Sequence, residues 1–377
     1  MKIICGMAGT GKSTYLASLI QKEKRSFVVL AATHSAVENI YKITKTVNRK
    51  KFFTLYAYFR IDYKNNIVKG PINYVEVIYI DEFSLLNKYL FETCIRKAPR
   101  SEFIICGDPL QLNAIYTEDE SITFKDLRKL EGLSALAIEH YHLGIFGIQA
   151  VKKATREVLS KIYRQEDDVK KISDAIFINQ DKSFNYPFIE YDEIIRKLLA
   201  NEGYIILASK YSILQDIFSE YMLASGKVET AIIQNGANGF TTLYLYKNME
   251  LLITENTESY YNGQRVFFLD YQQKDESLYI QTEDGVVLKV AKVFNEFPLI
   301  PSNLLTIHKS QGMTLDKVIL CIDDLFDSAM LYTALTRAKK EIHFYSKCKS
   351  DERVSTLFNN AHVSVFNELK RIYYDQS

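Results

Sequence analysis

The stretch Gly6-Met7-Ala8-Gly9-Thr10-Gly11-Lys12-Ser13 constrains the fold of this chain more than any other. It fits the pattern G-x-x-x-x-G-K-[ST]. An isoleucine-rich run, Lys2-Ile3-Ile4-Cys5, precedes it and reads as a short buried strand; Thr14-Tyr15-Leu16-Ala17-Ser18-Leu19-Ile20 follows with helical spacing. Glycines let successive backbone N–H groups curl round a polyphosphate, and the first helical turn adds the positive end of its dipole. On this reading Gly6, Gly9, Thr10, Gly11, Lys12, Ser13 and Thr14 cradle a nucleoside triphosphate. Lys12 reaches the β- and γ-phosphates and the Ser13 hydroxyl ligates Mg²⁺. The plain alternative is a glycine-rich turn carrying an exposed lysine. The strand on one side and the helix on the other favour the phosphate cradle.

The 377 residues suffice for two domains of ordinary size. A composition of 47% hydrophobic and 25% charged residues places the chain among soluble globular proteins. Its net charge of +1 provides no global attraction to nucleic acid or membrane, so a nucleic-acid partner would be held in a local groove. Cys5, Cys94, Cys106, Cys321 and Cys348 are scattered without a C-x-x-C pair. That usage points to reduced, buried thiols and away from structural zinc. No apolar stretch reaches membrane-spanning length, and the strand and loop at the start leave no room for a leader. The expectation is a cytoplasmic protein, or a nuclear one or one of the host-cell interior if viral, neither secreted nor membrane-bound. The 26 Tyr and 22 Phe, with no Trp, are read as coding bias more than as a stacking surface.

Continuous apolar runs of strand length recur at Phe27–Ala32, Val77–Ile80 and Phe103–Cys106, with helical spacing around Ser35–Thr46 and Leu86–Lys97 between them. Strands of this kind belong to a parallel sheet covered on both faces. A second such pattern follows the polar stretch near Thr117–Asp126, with strands at Tyr204–Ala208, Lys317–Ile322 and Glu341–Tyr345 but no second phosphate loop. Between Asn262 and Leu299 the texture turns to short alternating β-runs, read as a small β-barrel set into the second domain. The expected division is residues 1–142 and 143–377, with the insertion at about 257–302 and a closing helix after Asp351. Lys22–Arg25 and Asn48–Lys51 read as solvated surfaces, His140 and His142 as packing or surface histidines, and Phe52-Phe53 as core.

Three further strings carry chemistry. Asp81 and Glu82 end the run Ile78-Tyr79-Ile80, where Asp81 can hold the Mg²⁺ of a phosphate-loop site and Glu82 can polarise an attacking water. Gln111, in Gly107-Asp108-Pro109-Leu110-Gln111, has an amide that both donates and accepts and can sense a γ-phosphate or its water. Thr306-Ile307-His308-Lys309-Ser310-Gln311-Gly312-Met313-Thr314 is dense in donors. Thr306, His308, Lys309 and Ser310 can grip a sugar-phosphate backbone, while Gln311 and Gly312 lie where a loop can approach the nucleotide.

That last string resembles motif V of the superfamily 1 helicases, in the 1B branch that holds RecD, Dda and the petite-integration-frequency (Pif) proteins. Gly6–Thr14 then matches motif I, Ala31-Ala32-Thr33-His34-Ser35-Ala36 motif Ia, Asp81-Glu82 motif II and Gly107–Leu112 motif III. Thr54-Leu55-Tyr56-Ala57 is similar to a short strand-contacting motif that usually has His where this chain has Tyr56. Lys161-Ile162-Tyr163-Arg164-Gln165 resembles motif IV, Leu331–Ala338 resembles motif VI, and Asn256 with Asn262-Gly263 resembles the branch's approach to its barrel. The resemblance implies an α/β fold of two RecA-like P-loop NTPase domains with parallel sheets, and a small SH3-like barrel inserted in the second. It further implies ATP with Mg²⁺ between the domains, Arg164 and Arg337 meeting the γ-phosphate, and single-stranded DNA contacted through Thr33, His34, Thr54, Tyr56 and motif V. The implied activity is an ATP-dependent DNA helicase moving 5′→3′, with single-stranded DNA and duplex junctions, and replication or recombination proteins, as partners.

Two departures shape the expectation. The sequence starts at the first strand, without the upstream glutamine helix by which the family reads adenine. The stretch between Tyr56 and Asp81 is short, which leaves the strand-separating pin as at most a small hairpin near 60–75. Translocation is therefore expected to be intact and duplex separation weaker or partner-dependent. Three alternatives stay open on the sequence alone: a viral-type superfamily 1 RNA helicase, an NTP-gated clamp that remodels nucleic acid without unwinding, and a small-molecule kinase. The motif V string disfavours the first, the full set of arginines with Glu82 the second, and motifs V and VI the third.

Overall fold

The computed structural model describes residues 1–61, 70–86, 88–111, 148–163, 165–177, 184–236, 239–255, 257, 259–293, 295–325 and 328–347. The described residues through Tyr163 form one compact unit and those from Gln165 onward a second.

In the first unit, strand β1 (Lys2–Gly6) leads through the phosphate loop into helix α1 (Lys12–Lys22). Then come β2 (Phe27–Ala31), α2 (His34–Thr44), β3 (Phe52–Thr54), α3 (Leu55–Phe59), β4 (Val77–Asp81), α4 (Lys88–Lys97) and β5 (Glu102–Gly107). Short α5 (Gln149–Lys152) and β6 (Thr155–Leu159) follow. The strands lie in the order β3-β2-β4-β5-β1-β6, every neighbouring pair parallel. Every residue of β2 and β4 is buried, as unbroken β-branched and aromatic runs require when helices cover both faces. Helix α1 turns Leu16, Ala17 and Ile20 onto the sheet, and α2 adds Val37 and Ile40, around Ile4, Val29 and Tyr79. All strands run the same way, so their carboxyl ends share one edge, where ligands of open α/β sheets bind.

The division expected at 142/143 is corrected here. Strand β6 pairs with β1 in the register Ile4↔Glu157, so the chain stays with the first sheet through Tyr163. Without β6, β1 would be a bare sheet edge.

The second unit holds α6 (Asp167–Phe177), α7 (Tyr191–Leu199), β7 (Tyr204–Ala208), α8 (Tyr211–Ser225), the hairpin β8 (Thr230–Ile233) and β9 (Thr242–Leu245), and then β10 (Glu250–Ile253). Next come β11 (Arg265–Gln272), β12 (Ser277–Thr282), β13 (Val287–Val290), β14 (Leu299–Pro301), β15 (Leu304–Thr306), β16 (Leu315–Cys321), α9 (Ser328–Leu335) and β17 (Ala338–Tyr345). A four-stranded parallel sheet, β15-β7-β16-β17, is its core. Between α8 and β15 the chain leaves that sheet and builds an antiparallel one, β13-β12-β11-β10-β14. This is the β-rich insertion that the sequence texture announces, and its first strand starts at Glu250 rather than near 257. The sheet ends at Pro301, and β15 then returns to pair with β7.

The tip of the expected pin, 62–69, lies outside the described residues, as does the closing helix. Lys97 of α4 donates from Nζ to the carbonyls of Phe59 (2.8 Å) and Gly70 (3.1 Å), on either side of 62–69. Among the described residues, no helix is long and apolar enough to cross a membrane.

Candidate nucleotide and strand-binding sites

The phosphate loop is held by its own backbone. Gly9 and Gly11 have φ of 82° and 78°, left-handed values that favour glycine, and Gly11 caps α1. A side chain at Gly6 would start 2.3 Å from Thr10 Oγ1 and 3.1 Å from the Leu159 carbonyl, so that position admits only glycine. The Thr10 hydroxyl donates to the Met7 carbonyl at 2.8 Å and fixes the curl. Lys12 Nζ donates to the carbonyls of Gly6 (2.8 Å) and Met7 (2.9 Å), which keeps its ammonium over the loop. Ser13 is half-buried at the first turn of α1, and Thr14 beside it is exposed.

The next groups come from neighbouring strand ends. Asp81, only 5% exposed, closes β4. Its carboxylate is hydrogen-bonded to the Ser13 side chain and accepts from the backbone N–H of Glu82 (3.0 Å). Burial pushes the Asp81 carboxyl up, to about 7, with the charge of Glu82 acting the same way and the Ser13 bond and Lys12 opposing. A buried carboxylate under that pressure suits a cation. Glu82 follows at φ 54°, ψ 45°, half-buried. On β5, a side chain at Gly107 would start 2.7 Å from the Phe83 ring, so the two strand ends approach closely only with glycine there. Beyond it, wholly buried Asp108 accepts from Leu110 N–H (3.1 Å) and from the Gln111 amide (3.4 Å). Gln111 Oε1 is buried and has no hydrogen-bond partner among the described residues, an acceptor available to a bound group.

One residue at this site went unassigned by the sequence. Tyr163 donates its backbone N–H to the Gly9 carbonyl (2.8 Å), and its ring reaches within 3.9 Å of where a Gly11 side chain would begin. The ring is 67% exposed, with Lys161 Nζ 5.0 Å from its centroid. It is an open aromatic face set against a phosphate loop. It lies in the motif IV string, whose pattern points to the arginine beside it. Arg164 itself lies outside the described residues.

At the same edge, Thr33 follows β2 and Thr54 ends β3, with Ala31 and Thr54 paired in register. Each caps a helix: Thr33 Oγ1 accepts from Ala36 N–H (3.2 Å) and Thr54 Oγ1 from Ala57 N–H (3.3 Å). Thr33 and His34 are exposed, Tyr56 is half-buried and Thr54 is buried. Arg49–Lys51 precede β3 and so sit at the opposite edge; Arg49 pairs with Glu38, and Lys51 lies over the Phe27 ring at 3.7 Å.

In the second unit, Thr306 ends β15 and its hydroxyl accepts from Lys309 N–H (3.3 Å). Ser310 is fully buried and donates its hydroxyl to the Ile307 carbonyl (2.8 Å). These two hydroxyls brace the motif V turn from within, and His308 and Lys309 are half-buried on it. Gln311 donates its backbone N–H to the His308 carbonyl (3.2 Å). Gly312 stands at φ 81°, and a side chain there would meet nothing within 4 Å. Arg337 is 1% exposed. It donates to the carbonyls of Thr333 (3.1 Å) and Met313 (3.3 Å) and to the Thr336 hydroxyl (3.3 Å), so it ties the end of α9 to motif V within its own unit. Among the described residues no three His, Cys, Asp or Glu side chains gather as metal ligands. Ser13 with Asp81 is the pair suited to Mg²⁺, which takes few protein ligands and completes its shell with phosphate oxygens.

A phosphate loop, a strand-end Asp-Glu and a buried glutamine on adjacent carboxyl ends define a P-loop NTPase with a RecA-like core. A family model described as an AAA domain matches residues 1–140, and one described as a UvrD-like helicase C-terminal domain matches residues 301–345. The ATP-dependent DNA helicase Pif1 of Campylobacter jejuni subsp. jejuni serotype O:2 is 23% identical over 407 residues, covering 89% of this chain and 86% of that protein. The crystal structure of Bacteroides Pif1 bound to ssDNA has a TM-score of 0.64 at 19% identity, over 99% of this chain and 93% of that one. That of Bacteroides Pif1 in complex with ADP-AlF3 and ssDNA has a TM-score of 0.62 at 19% identity, over 98% and 93%. Over nearly its whole length the chain is thus similar to Pif1 helicases in sequence and in fold.

Proposed function

We propose that this protein is an ATP-dependent DNA helicase that moves 5′→3′ along single-stranded DNA. The observation that carries the proposal is the convergence of Lys12, Ser13, Asp81, Glu82 and Gln111 at the carboxyl edge of one parallel sheet. The Campylobacter relative is named an ATP-dependent DNA helicase, and the Bacteroides structures hold ssDNA and ADP-AlF3; this chain is proposed to share both ligands.

The residues divide the work. Loop N–H groups and Lys12 bind and orient the triphosphate. Ser13 and Asp81 would hold Mg²⁺, which supplies charge neutralisation on the phosphate oxygens when bound. Glu82 accepts a proton from water as its oxygen bonds to the γ-phosphorus and the bond to the leaving β-phosphate oxygen breaks. Gln111 Oε1, the orphan acceptor, orients that water. Tyr163 offers its exposed ring as a platform for the base. Strand contact falls to the exposed side of motif Ia, through Thr33 and His34, to Tyr56, and to His308.

The test is ATP hydrolysis with and without single-stranded DNA, and with RNA in parallel, in the full chain and in Lys12→Ala. We expect strong stimulation by DNA and loss of hydrolysis in the variant. Stimulation by RNA alone moves the assignment to an RNA helicase. Hydrolysis indifferent to both polymers overturns the proposal in favour of a nucleotide-gated clamp.

A further inference from the structure

Lys309 has a neighbourhood that its motif does not announce. Its ammonium lies 3.4 Å from Asn262 Oδ1, on the loop that joins β10 to β11 of the inserted sheet. Burial holds the ammonium below the ordinary lysine value, and the charge of Glu255, on the same loop, pulls the other way. A lysine that reaches solvent to meet phosphate keeps its head in water and only its stem covered. This one instead spends its head on a neutral amide oxygen.

Both ends of the contact are fixed. Lys309 N–H donates to Thr306 Oγ1, and Thr306 is paired with Ala208 of β7, so the lysine backbone belongs to the parallel sheet. The loop closes on itself: Gly263 N–H donates to the Ile253 carbonyl (2.8 Å) and Ile253 N–H to the Gln264 carbonyl (3.0 Å). Gly263 stands at φ 86°, and Thr254 N–H donates to the Pro298 carbonyl (2.9 Å), which ties the loop to the antiparallel sheet. One side chain thus bridges the motif V turn and the insertion.

We infer that Lys309 is a positioning residue, a charge-assisted tether that makes the inserted sheet follow the motif V turn. Its consequence for turnover rests on the proposed function; the tether itself does not. The ammonium donates to the Asn262 amide oxygen at 3.4 Å in a partly buried place, where removing either partner costs the other this bond. When motif V shifts, the β10–β11 loop is carried with it.

The experiment compares Lys309→Met, Asn262→Ala, their double variant and Asn262→Asp in the full chain, by amide hydrogen exchange of the β10–β11 segment. We expect each neutral single variant to speed exchange there by on the order of tenfold, the scale of one lost hydrogen bond to a charged group. The double variant should go no faster than either single, and Asn262→Asp should match or exceed wild-type protection. In parallel, the salt dependence of single-stranded DNA binding should keep its slope in Lys309→Met. Unchanged exchange in Lys309→Met, with a slope shallower by about one phosphate contact, would overturn the inference and make the lysine a backbone contact. If Lys309→Met does not fold, Asn262→Ala decides alone: wild-type exchange in that variant equally overturns the tether. Should the wild-type protein neither bind DNA nor be stimulated by it, the proposed function fails while the exchange data still decide the tether.

Discussion

Glu82 occupies a left-handed backbone, φ 54°, that costs a residue with a side chain about 1–2 kcal/mol. It comes directly after Asp81, whose Oδ1 accepts the Glu82 N–H. That strained, carboxylate-bearing position beside a buried aspartate supports the proposed role of Glu82 as the base. Glu82→Gln preserves shape and removes the base. We expect kcat for ATP hydrolysis to fall about 10²–10⁴-fold with the KM for ATP little changed. Glu82→Gly should lose the same activity while melting no lower than wild type, since glycine accepts this φ freely. Steady-state kinetics and thermal melts of both variants check the pair; a Gln variant that turns over at the wild-type rate would remove Glu82 from the mechanism.

At the scale of elements, one carboxylate joins the carboxyl end of α1 to β4. Glu23, at the carboxyl end of α1, accepts from Arg25 Nε (3.0 Å) and Nη2 (2.8 Å), from Lys24 N–H (3.0 Å), and from the Tyr79 hydroxyl of β4 (2.9 Å). The Arg25 guanidinium leads in holding the Glu23 carboxyl down, to about 2 from an ordinary 4.5. Because the folded value is depressed, this stabilisation is fully present above pH 4.5 and is lost as pH falls toward 2. Thermal melts should place Glu23→Gln below wild type at pH 7. The gap should narrow steadily as pH falls from 4.5 toward 2, where Glu23 takes up a proton in the folded protein and is neutral like the glutamine. A gap that stays constant across that range would mean that the carboxylate charge contributes nothing.

The same scale explains what the sequence made legible. The phosphate loop, Asp81-Glu82 and Gln111 each sit in a contiguous string at the end of an apolar strand, so local pattern sufficed. Strand β6 is polar and half-exposed, Thr-Arg-Glu-Val-Leu, because an edge strand has no second sheet neighbour and needs no unbroken apolar run. It hid the boundary, and it hid the role of Tyr163, which reaches the loop only because β6 lies beside β1. By residue type the motif V hydroxyls suit strand contacts; Ser310 turns inward because a tight turn needs its own carbonyl satisfied. Nothing in the string distinguishes those two uses.

For the whole molecule, charge decides how a strand would be held under the proposed function. A chain with net charge +1 exerts no long-range pull on a polyanion, so binding must come from a few short-range contacts. The proposed strand-contact set among the described residues is polar and aromatic more than cationic: exposed Thr33 and His34, with half-buried Tyr56 and His308. Lys309 is committed to Asn262, and Arg49 and Lys51 are engaged at the far edge of their sheet. Helix N-termini and hydroxyls grip phosphate without displacing many counterions, and stacking displaces none. Each neutralised phosphate on a single strand contributes about −0.7 to the slope of log K against log salt concentration. We therefore expect a shallow slope, between about −1 and −3, with affinity persisting at salt that strips a strongly basic binder. Fluorescence anisotropy of a labelled oligonucleotide across a salt series measures it. A slope steeper than about −5 would require a cationic groove beyond the strand-contact residues described, and would move the strand path away from motif Ia and motif V.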